Sequence, residues 1–113
     1  MIFINGNNIS LTRGDSAWLD VPIKDVVSGG MYTVKDDDEL TLTVRVNVKR
    51  TADDTNCLFA KTIKGESTFH ISPADTAELG YGEYHYDVEL KTADGDRYTV
   101  VPDSKFVLTS EVT

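Results

Sequence analysis

Hydrophobic and polar residues alternate with a period of two along much of this chain. From Glu39 to Arg50, aliphatic residues occupy every second position and mostly polar residues lie between them. Because successive side chains of a β-strand point to opposite faces, this pattern predicts a strand with one face in the core and the other in water. The β-branched residues of the run favour the same structure, since they pack well on a pleated surface.

Similar runs predict the remaining strands. The clearest are Ala17–Ile23 and Tyr84–Leu90, and shorter runs predict strands at 2–4, 8–12, 58–63, 68–71, 97–101 and 105–109. The Asp94-Gly95 pair predicts a hairpin turn before the strand at 97–101, because glycine tolerates the positive φ that such turns need. Pro102-Asp103-Ser104 predicts a break between the last two strands, since proline cannot donate to a β-ladder.

The segment Pro73–Leu79 has the features of a helix, with Ser72 as a candidate N-cap and Gly80 as a stop signal. About seven to nine short strands with one short helical turn are typical of an all-β sandwich. We therefore predict a single domain over residues 1–113, an immunoglobulin-like antiparallel β-sandwich. Its predicted inward positions are Leu19, Val21, Leu42, Val44, Val46, Tyr84, Tyr86, Val88 and Phe106.

One corner of the predicted sandwich has a more specific pattern. Leu79, Gly82 and Tyr84 are spaced as in a tyrosine corner, where a tyrosine near the start of strand F donates a hydrogen bond to upstream backbone. The alternative is an ordinary strand start with a buried tyrosine. Antibody domains differ from this chain, because Cys57 is its only cysteine and Trp18 falls on the outward positions of an early strand. The likeness to immunoglobulins is therefore architectural.

Charge excludes two classes of partner. The 113 residues include 19 acidic and 11 basic side chains, which gives a formal net charge of -8. A field of this sign repels nucleic-acid phosphates and anionic lipid, so we expect neither nucleic acid nor a membrane as partner. With one cysteine no internal disulfide can form, and residues 1–6 lack the pattern of a signal peptide. We expect synthesis and folding in a reducing cytosol.

The motifs that carry chemistry elsewhere have simpler explanations here. Arg13-Gly14-Asp15 spells the integrin tripeptide but also suits a tight turn. The acidic run Asp36–Glu39 and the Asp94-Gly95-Asp96 turn offer oxygen ligands for Ca²⁺ without a known loop spacing. His70 and His85 lack the spacing of a zinc site. We therefore expect no catalytic residues, no metal and no cofactor, and predict that the chain is not an enzyme.

The chain resembles a family of known proteins in four segments. These are Ile9–Ser16, Phe69–Thr76, Tyr84–Leu90 and the close at Phe106–Thr109 with Glu111-Val112-Thr113. They are similar to small β-sandwich proteins of phages and prophages of Gram-positive gut bacteria and, more distantly, to the N-terminal domain of phage baseplate upper proteins. The resemblance implies a virion, tail or baseplate structural module. The helical stalk of baseplate upper proteins is missing, so we expect an accessory or adaptor role.

Contacts with proteins would use exposed side chains, and we select Trp18, Met31, Tyr32, Tyr81 and Tyr98 as the candidate interaction surface. Methionine and tyrosine are favoured at interfaces. Met31 and Tyr32 follow an apolar and glycine-containing loop, and the alternative is that they close the end of the core. Three functions remain open. The first is a virion module that binds other tail proteins or itself, and the second is a carbohydrate-binding or cell-surface adhesion module. The third, a hydrolase or metal-dependent enzyme on a β scaffold, comes last because the sequence shows no catalytic constellation. The second would need a row of exposed aromatic side chains.

Overall fold

The computed structural model describes residues 2–5, 7–23, 32–46 and 57–110. Within them the chain forms eight strands and one helical turn. In chain order these are β1 (Ile2–Asn5), β2 (Asn8–Thr12), β3 (Ala17–Asp20), β4 (Glu39–Arg45), β5 (Cys57–Lys64), β6 (Thr68–Ile71), α1 (Pro73–Thr76), β7 (Gly82–Lys91) and β8 (Arg97–Thr109). The prediction of an all-β domain with one short helical turn is confirmed.

The strands form a six-stranded sheet in the order β1-β2-β8-β7-β4-β5 and a two-stranded sheet of β3 and β6. In this arrangement β8, β7, β4 and β5 take the places of strands G, F, C and C′ of an immunoglobulin variable-type sandwich. Likewise β3 and β6 take the places of strands B and E, which are also neighbours there. The order of the strands is thus that of an immunoglobulin-like sandwich.

One pair of strands departs from the antiparallel prediction. β2 pairs with β8 in parallel, from Ile9 opposite Phe106 to Thr12 opposite Thr109. The pairing places the buried side chains of Ile9 and Leu11 beside those of Phe106 and Leu108. Burial of these apolar side chains favours this neighbour, although a parallel ladder is slightly weaker per residue.

The core lies between the inward faces of the two sheets. Its buried hydrophobic residues are Ile9, Leu11, Ala17, Leu19, Val21, Ile23, Leu40, Leu42, Val44, Phe69, Ile71, Tyr86, Val88, Leu90, Val101, Phe106 and Leu108. The prediction of an inward Val46 is wrong, because β4 ends at Arg45 after an irregularity in its pairing with β5 and leaves Val46 exposed. Tyr84 is half-buried and packs against the core. Residues 47–50, also in the predicted strand, lie outside the described residues.

The predicted break at Pro102 is also wrong, because β8 runs without interruption from Arg97 to Thr109. Its pairing with β7 shifts on both sides of Val88, where Tyr86 is opposite Ser104 and Val88 is opposite Val101. These shifts are β-bulges, in which two residues oppose one and a ladder donor is not required. The missing N–H of Pro102 therefore costs the sheet little at this point.

The helical turn is shorter than predicted. α1 ends at Thr76, and the N–H of Leu79 donates to the carbonyl of Thr76 three residues before it. At its start, the carboxylate of Asp75 accepts a hydrogen bond of 2.8 Å from the N–H of Ser72. Ser72 thus precedes the helix as predicted, with Pro73 at its first position.

Candidate interaction surface

The outward side of the two-stranded sheet carries the most exposed large apolar residue of the described chain. Trp18 on β3 is opposite His70 on β6, and the Trp18 side chain is 67% exposed. The two rings stack with centroids 4.2 Å apart and an angle of 21° between their planes. On the other side of the same strands, Leu19 and Phe69 are buried in the core. Alternation therefore fixes which side of β3 the indole occupies, as the sequence predicts.

Asp20 lies on the same side of β3 and is held by hydroxyl groups. Its Oδ1 accepts hydrogen bonds from Ser67 Oγ at 3.2 Å and from Thr68 Oγ1 at 3.3 Å. Thr68 is also its neighbour across the strand pair. We call the four outward residues Trp18, Asp20, Thr68 and His70 the small-sheet face. It combines an aromatic pair with a carboxylate of fixed orientation.

Tyr81 lies at a different place, beside the tripeptide Arg13-Gly14-Asp15. The guanidinium of Arg13 lies 4.4 Å from the centre of the Tyr81 ring, and Arg13 Nη1 donates to the carbonyl of Leu79 at 3.2 Å. The N–H of Gly14, whose φ is 85°, donates to the buried hydroxyl of Thr76 at 3.0 Å. These contacts join the end of β2 to α1 and to the segment that follows it, which favours the turn over the integrin interpretation.

The corner residues lie together at the start of β7. The hydroxyl of Tyr84 donates to the carbonyl of Gly80 at 2.7 Å, which is the upstream backbone hydrogen bond of a tyrosine corner. Leu79 packs against the core. Gly82 has a φ of 139°, a conformation that residues with a Cβ rarely adopt. The three residues have a structural role at this end of the sandwich.

Tyr32 and Tyr98 differ in their surroundings. The hydroxyl of Tyr32 donates to Asp38 Oδ2 at 2.5 Å, and its ring packs against the core. Tyr32 is therefore partly enclosed, whereas the Tyr98 side chain is 54% exposed on β8 opposite Leu90. Met31 lies outside the described residues.

The exposed aromatic side chains do not form a row. Tyr81 precedes β7, whereas Tyr98 is opposite Leu90 near the other end of that strand. At about 3.4 Å per residue, the two positions are separated by roughly 30 Å along β7. Trp18 belongs to the other sheet. Tyr81 and Tyr98 therefore lie in separate regions of the surface, and Trp18 lies on a different sheet from Tyr98.

The acidic run before β4 forms a turn that Asp38 caps from a buried position. Besides the Tyr32 hydroxyl, Asp38 Oδ2 accepts the N–H of Lys35 at 3.0 Å. Burial opposes ionisation, but these two hydrogen bonds and the charge of Lys35 together hold the pKa of Asp38 below its usual value. Asp36 and Asp37 are exposed. Among the described residues, no group of three or more His, Cys, Asp or Glu side chains could hold a metal ion.

The outer face of the six-stranded sheet carries pairs of polar side chains that alternation cannot reveal. Arg45 pairs with Asp87 at 3.0 Å and His85 Nδ1 lies 3.1 Å from Asp103 Oδ2. Away from that face, Lys61 of β5 pairs with Asp75 of α1 at 2.7 Å. The two members of each pair lie on different elements, so only the tertiary structure brings each side chain to its partner.

Comparison with known proteins gives no relative. A scan of protein-family models, a search of curated proteins and a search of solved structures each found no match to this chain. In the part of the chain that the structure describes, no helix is long and apolar enough to cross a membrane.

Proposed function

We propose that the chain is a non-enzymatic structural module of a phage or prophage virion, tail or baseplate, and that it acts through protein–protein contacts. The observation that carries the proposal is the exposure of Trp18 on the outward side of a hydrogen-bonded sheet. Tryptophan is enriched among the residues that dominate binding energy at protein interfaces. Burial of such a ring against a partner removes about 150–250 Å² from water.

The surroundings of Trp18 restrict its side chain before a partner binds, so binding costs little conformational entropy. Its ring already stacks on His70, and the strand beneath it is fixed to the core through Leu19. Side chains that are ordered before binding avoid an entropy cost of about 0.5–1.5 kcal/mol each. The setting in a virion comes from the resemblance of the sequence segments to phage structural proteins, and the fold agrees with a small sandwich of that kind.

The experiment is an incorporation assay in cells that encode the chain. The gene is deleted and replaced by tagged wild type, Trp18→Ala or Tyr98→Ala, the prophage is induced, and particles are purified on a density gradient. Tyr98→Ala is the matched control, because Tyr98 is also an exposed aromatic residue but lies away from the small-sheet face. Each variant is first shown to melt like the wild type.

We expect wild type and Tyr98→Ala in the particles by mass spectrometry and immunoblot, and Trp18→Ala reduced at least tenfold. Absence of the wild-type chain from intact particles contradicts the virion setting. Equal incorporation of Trp18→Ala contradicts the role of Trp18 in assembly.

A carbohydrate-binding or adhesion module is the second candidate. The observation in its favour is that Trp18 and Asp20 lie two positions apart on one side of β3, with the Asp20 carboxylate already oriented. A sugar ring could stack on the indole while its hydroxyl groups donate to the carboxylate. The separation of Tyr81 from Tyr98 gives this candidate less support. Titration of Trp18 fluorescence with cell-wall polysaccharide tests it, with Asp20→Asn as the variant that should weaken binding.

A further inference from the structure

We propose that the small-sheet face binds the small-sheet face of a second copy of this chain, in a dimer with two-fold symmetry. Trp18 would contact the partner's Trp18, and Asp20 would contact the partner's His70. The inference rests on the proposed function, because it names the partner of the same surface. It is carried by the arrangement of the four side chains and by their charges.

The four residues occupy the corners of a rectangular patch. Trp18 is opposite His70 and Asp20 is opposite Thr68 across the strand pair. Neighbouring strands lie about 5 Å apart, and residues two positions apart on one strand lie about 7 Å apart. Asp20 and His70 therefore occupy one diagonal of the patch, and Trp18 and Thr68 occupy the other.

This arrangement is self-complementary about one axis. A two-fold axis in the plane of the face, along the diagonal from Trp18 to Thr68, places the indole of each copy on that of the other. The same rotation brings each end of the other diagonal near the partner's opposite end, so that each Asp20 lies near the partner's His70. A two-fold interface of this kind uses the same patch on both copies. An imidazole N–H can donate to the carboxylate in both symmetric contacts.

Electrostatic repulsion between two copies is smaller at this face than where acidic surfaces meet. The chain carries a formal charge of -8, so two copies repel each other wherever acidic surfaces meet. The small-sheet face contains a single carboxylate, and the axis described above brings it to an imidazole instead of to another carboxylate. The remaining corner, Thr68, is uncharged. Like charges opposed across an interface would cost several kcal/mol, and this arrangement avoids that cost.

The area of the face sets the expected strength. Each strand of the small sheet has four residues, so the face is about 13 Å long and roughly 10 Å wide. The area of a face with these dimensions is well below the ~800 Å² that each partner buries in a standard stable interface. We therefore expect a weak dimer that dissociates on dilution, with binding concentrated on Trp18.

The first experiment is sedimentation equilibrium and light scattering of the full chain over a concentration series up to millimolar. For the wild type we expect the weight-average mass to rise from the monomer value of 12.5 kDa towards twice that value. We expect Trp18→Ala to stay monomeric over the same range and Tyr98→Ala to behave like the wild type. A wild type that stays monomeric overturns the dimer but leaves the particle assay above unaffected. A dimer that persists in Trp18→Ala overturns the assignment of the face.

The second experiment tests the Asp20–His70 contact by charge exchange. Asp20→His opposes two imidazoles across the axis, and His70→Asp opposes two carboxylates, so each variant alone should dimerise at least tenfold more weakly than the wild type. A mixture of the two variants restores an imidazole and a carboxylate at both contacts. We expect the mixture to form a heterodimer of near wild-type strength, detected by exchange of two fluorescent labels. If each variant melts as a folded domain but the mixture associates no better than either alone, the diagonal arrangement is wrong.

Discussion

Arg45 and Asp87 form an ion pair of 3.0 Å on the outer face of the six-stranded sheet, with only 10% and 13% of their side chains exposed. Their strands fix the contact, because Arg45 is opposite His85 and Asp87 is opposite Thr43, which makes the two charges diagonal neighbours. A face that alternation assigns to water therefore contains a pair that is largely removed from water. Removal of one member leaves the other charge without its partner.

From this pair we predict that Asp87→Ala lowers the free energy of unfolding by about 3 kcal/mol, since an uncompensated charge remains in a place with little water. The control is Glu83→Ala, which breaks the Lys105–Glu83 pair, whose side chains are 56% and 51% exposed. An exposed pair contributes at most about 1 kcal/mol. Urea unfolding followed by circular dichroism measures both. Equal effects of the two variants would show that the Arg45–Asp87 pair is not protected from solvent.

The backbone at Gly82 gives a second prediction. Gly82→Ala should destabilise the fold by roughly 1–3 kcal/mol, because a φ of 139° is strained for a residue with a Cβ even though open space surrounds the position. Gly80→Ala is the matched control in the same corner, since its added Cβ would lie 3.8 Å from the Tyr84 hydroxyl, an ordinary contact. Thermal melting of the two variants separates strain from crowding. A stable Gly82→Ala protein would contradict the backbone conformation at the start of β7.

The tyrosine corner gives a third prediction. Tyr84→Phe removes the hydrogen bond to the Gly80 carbonyl but keeps the ring against the core, so we expect a loss of about 1 kcal/mol. Tyr98→Phe removes a hydroxyl from an exposed ring and should change the free energy of unfolding by less than ~0.5 kcal/mol. Urea unfolding measures the free energy of unfolding of both variants, and the values are compared when the dependence of that free energy on urea concentration is the same. If Tyr84→Phe is neutral, the corner hydrogen bond adds nothing to stability.

The fourth prediction concerns high pH. Burial raises the pKa of Tyr86 to about 12, and its hydroxyl donates to the carbonyl of Asn7. In the unfolded chain the phenol ionises near pH 10. Because the pKa is higher in the folded state, the contribution of Tyr86 to stability is fully present below about pH 10. It is lost as the pH rises towards about 12, by up to ~2 kcal/mol.

The measurement is the free energy of unfolding between pH 8 and 12 for wild type and Tyr86→Phe. Other tyrosines and the lysines also titrate in this range, so the difference between the two proteins isolates Tyr86. We expect the wild type to lose more stability than Tyr86→Phe across this range. Parallel curves would mean that the Tyr86 hydroxyl ionises without a cost to the fold.

The sequence by itself determined the strands and the faces of their side chains. A period of two places Leu19 inward and Trp18 outward whatever the partner strand is, because the geometry of a single strand sets this alternation. The turn residues before β8 and the capping residue before α1 also act locally, and they predicted the hairpin and the start of the helical turn. The immunoglobulin-like class followed from the number and spacing of such elements.

Only the tertiary structure decided which strands are neighbours and in which register. The stack of Trp18 on His70 and the pair of Arg45 with Asp87 depend on strands that are distant in sequence, and no local pattern specifies such contacts. The parallel pairing of β2 with β8 follows from the burial of apolar side chains on both strands, and β8 passes through Pro102 because its pairing with β7 is bulged there. Side-chain alternation is a property of one strand, whereas strand pairing depends on the free energy of the complete core. For this reason the sequence predicts which face a residue occupies but not which strand lies beside it.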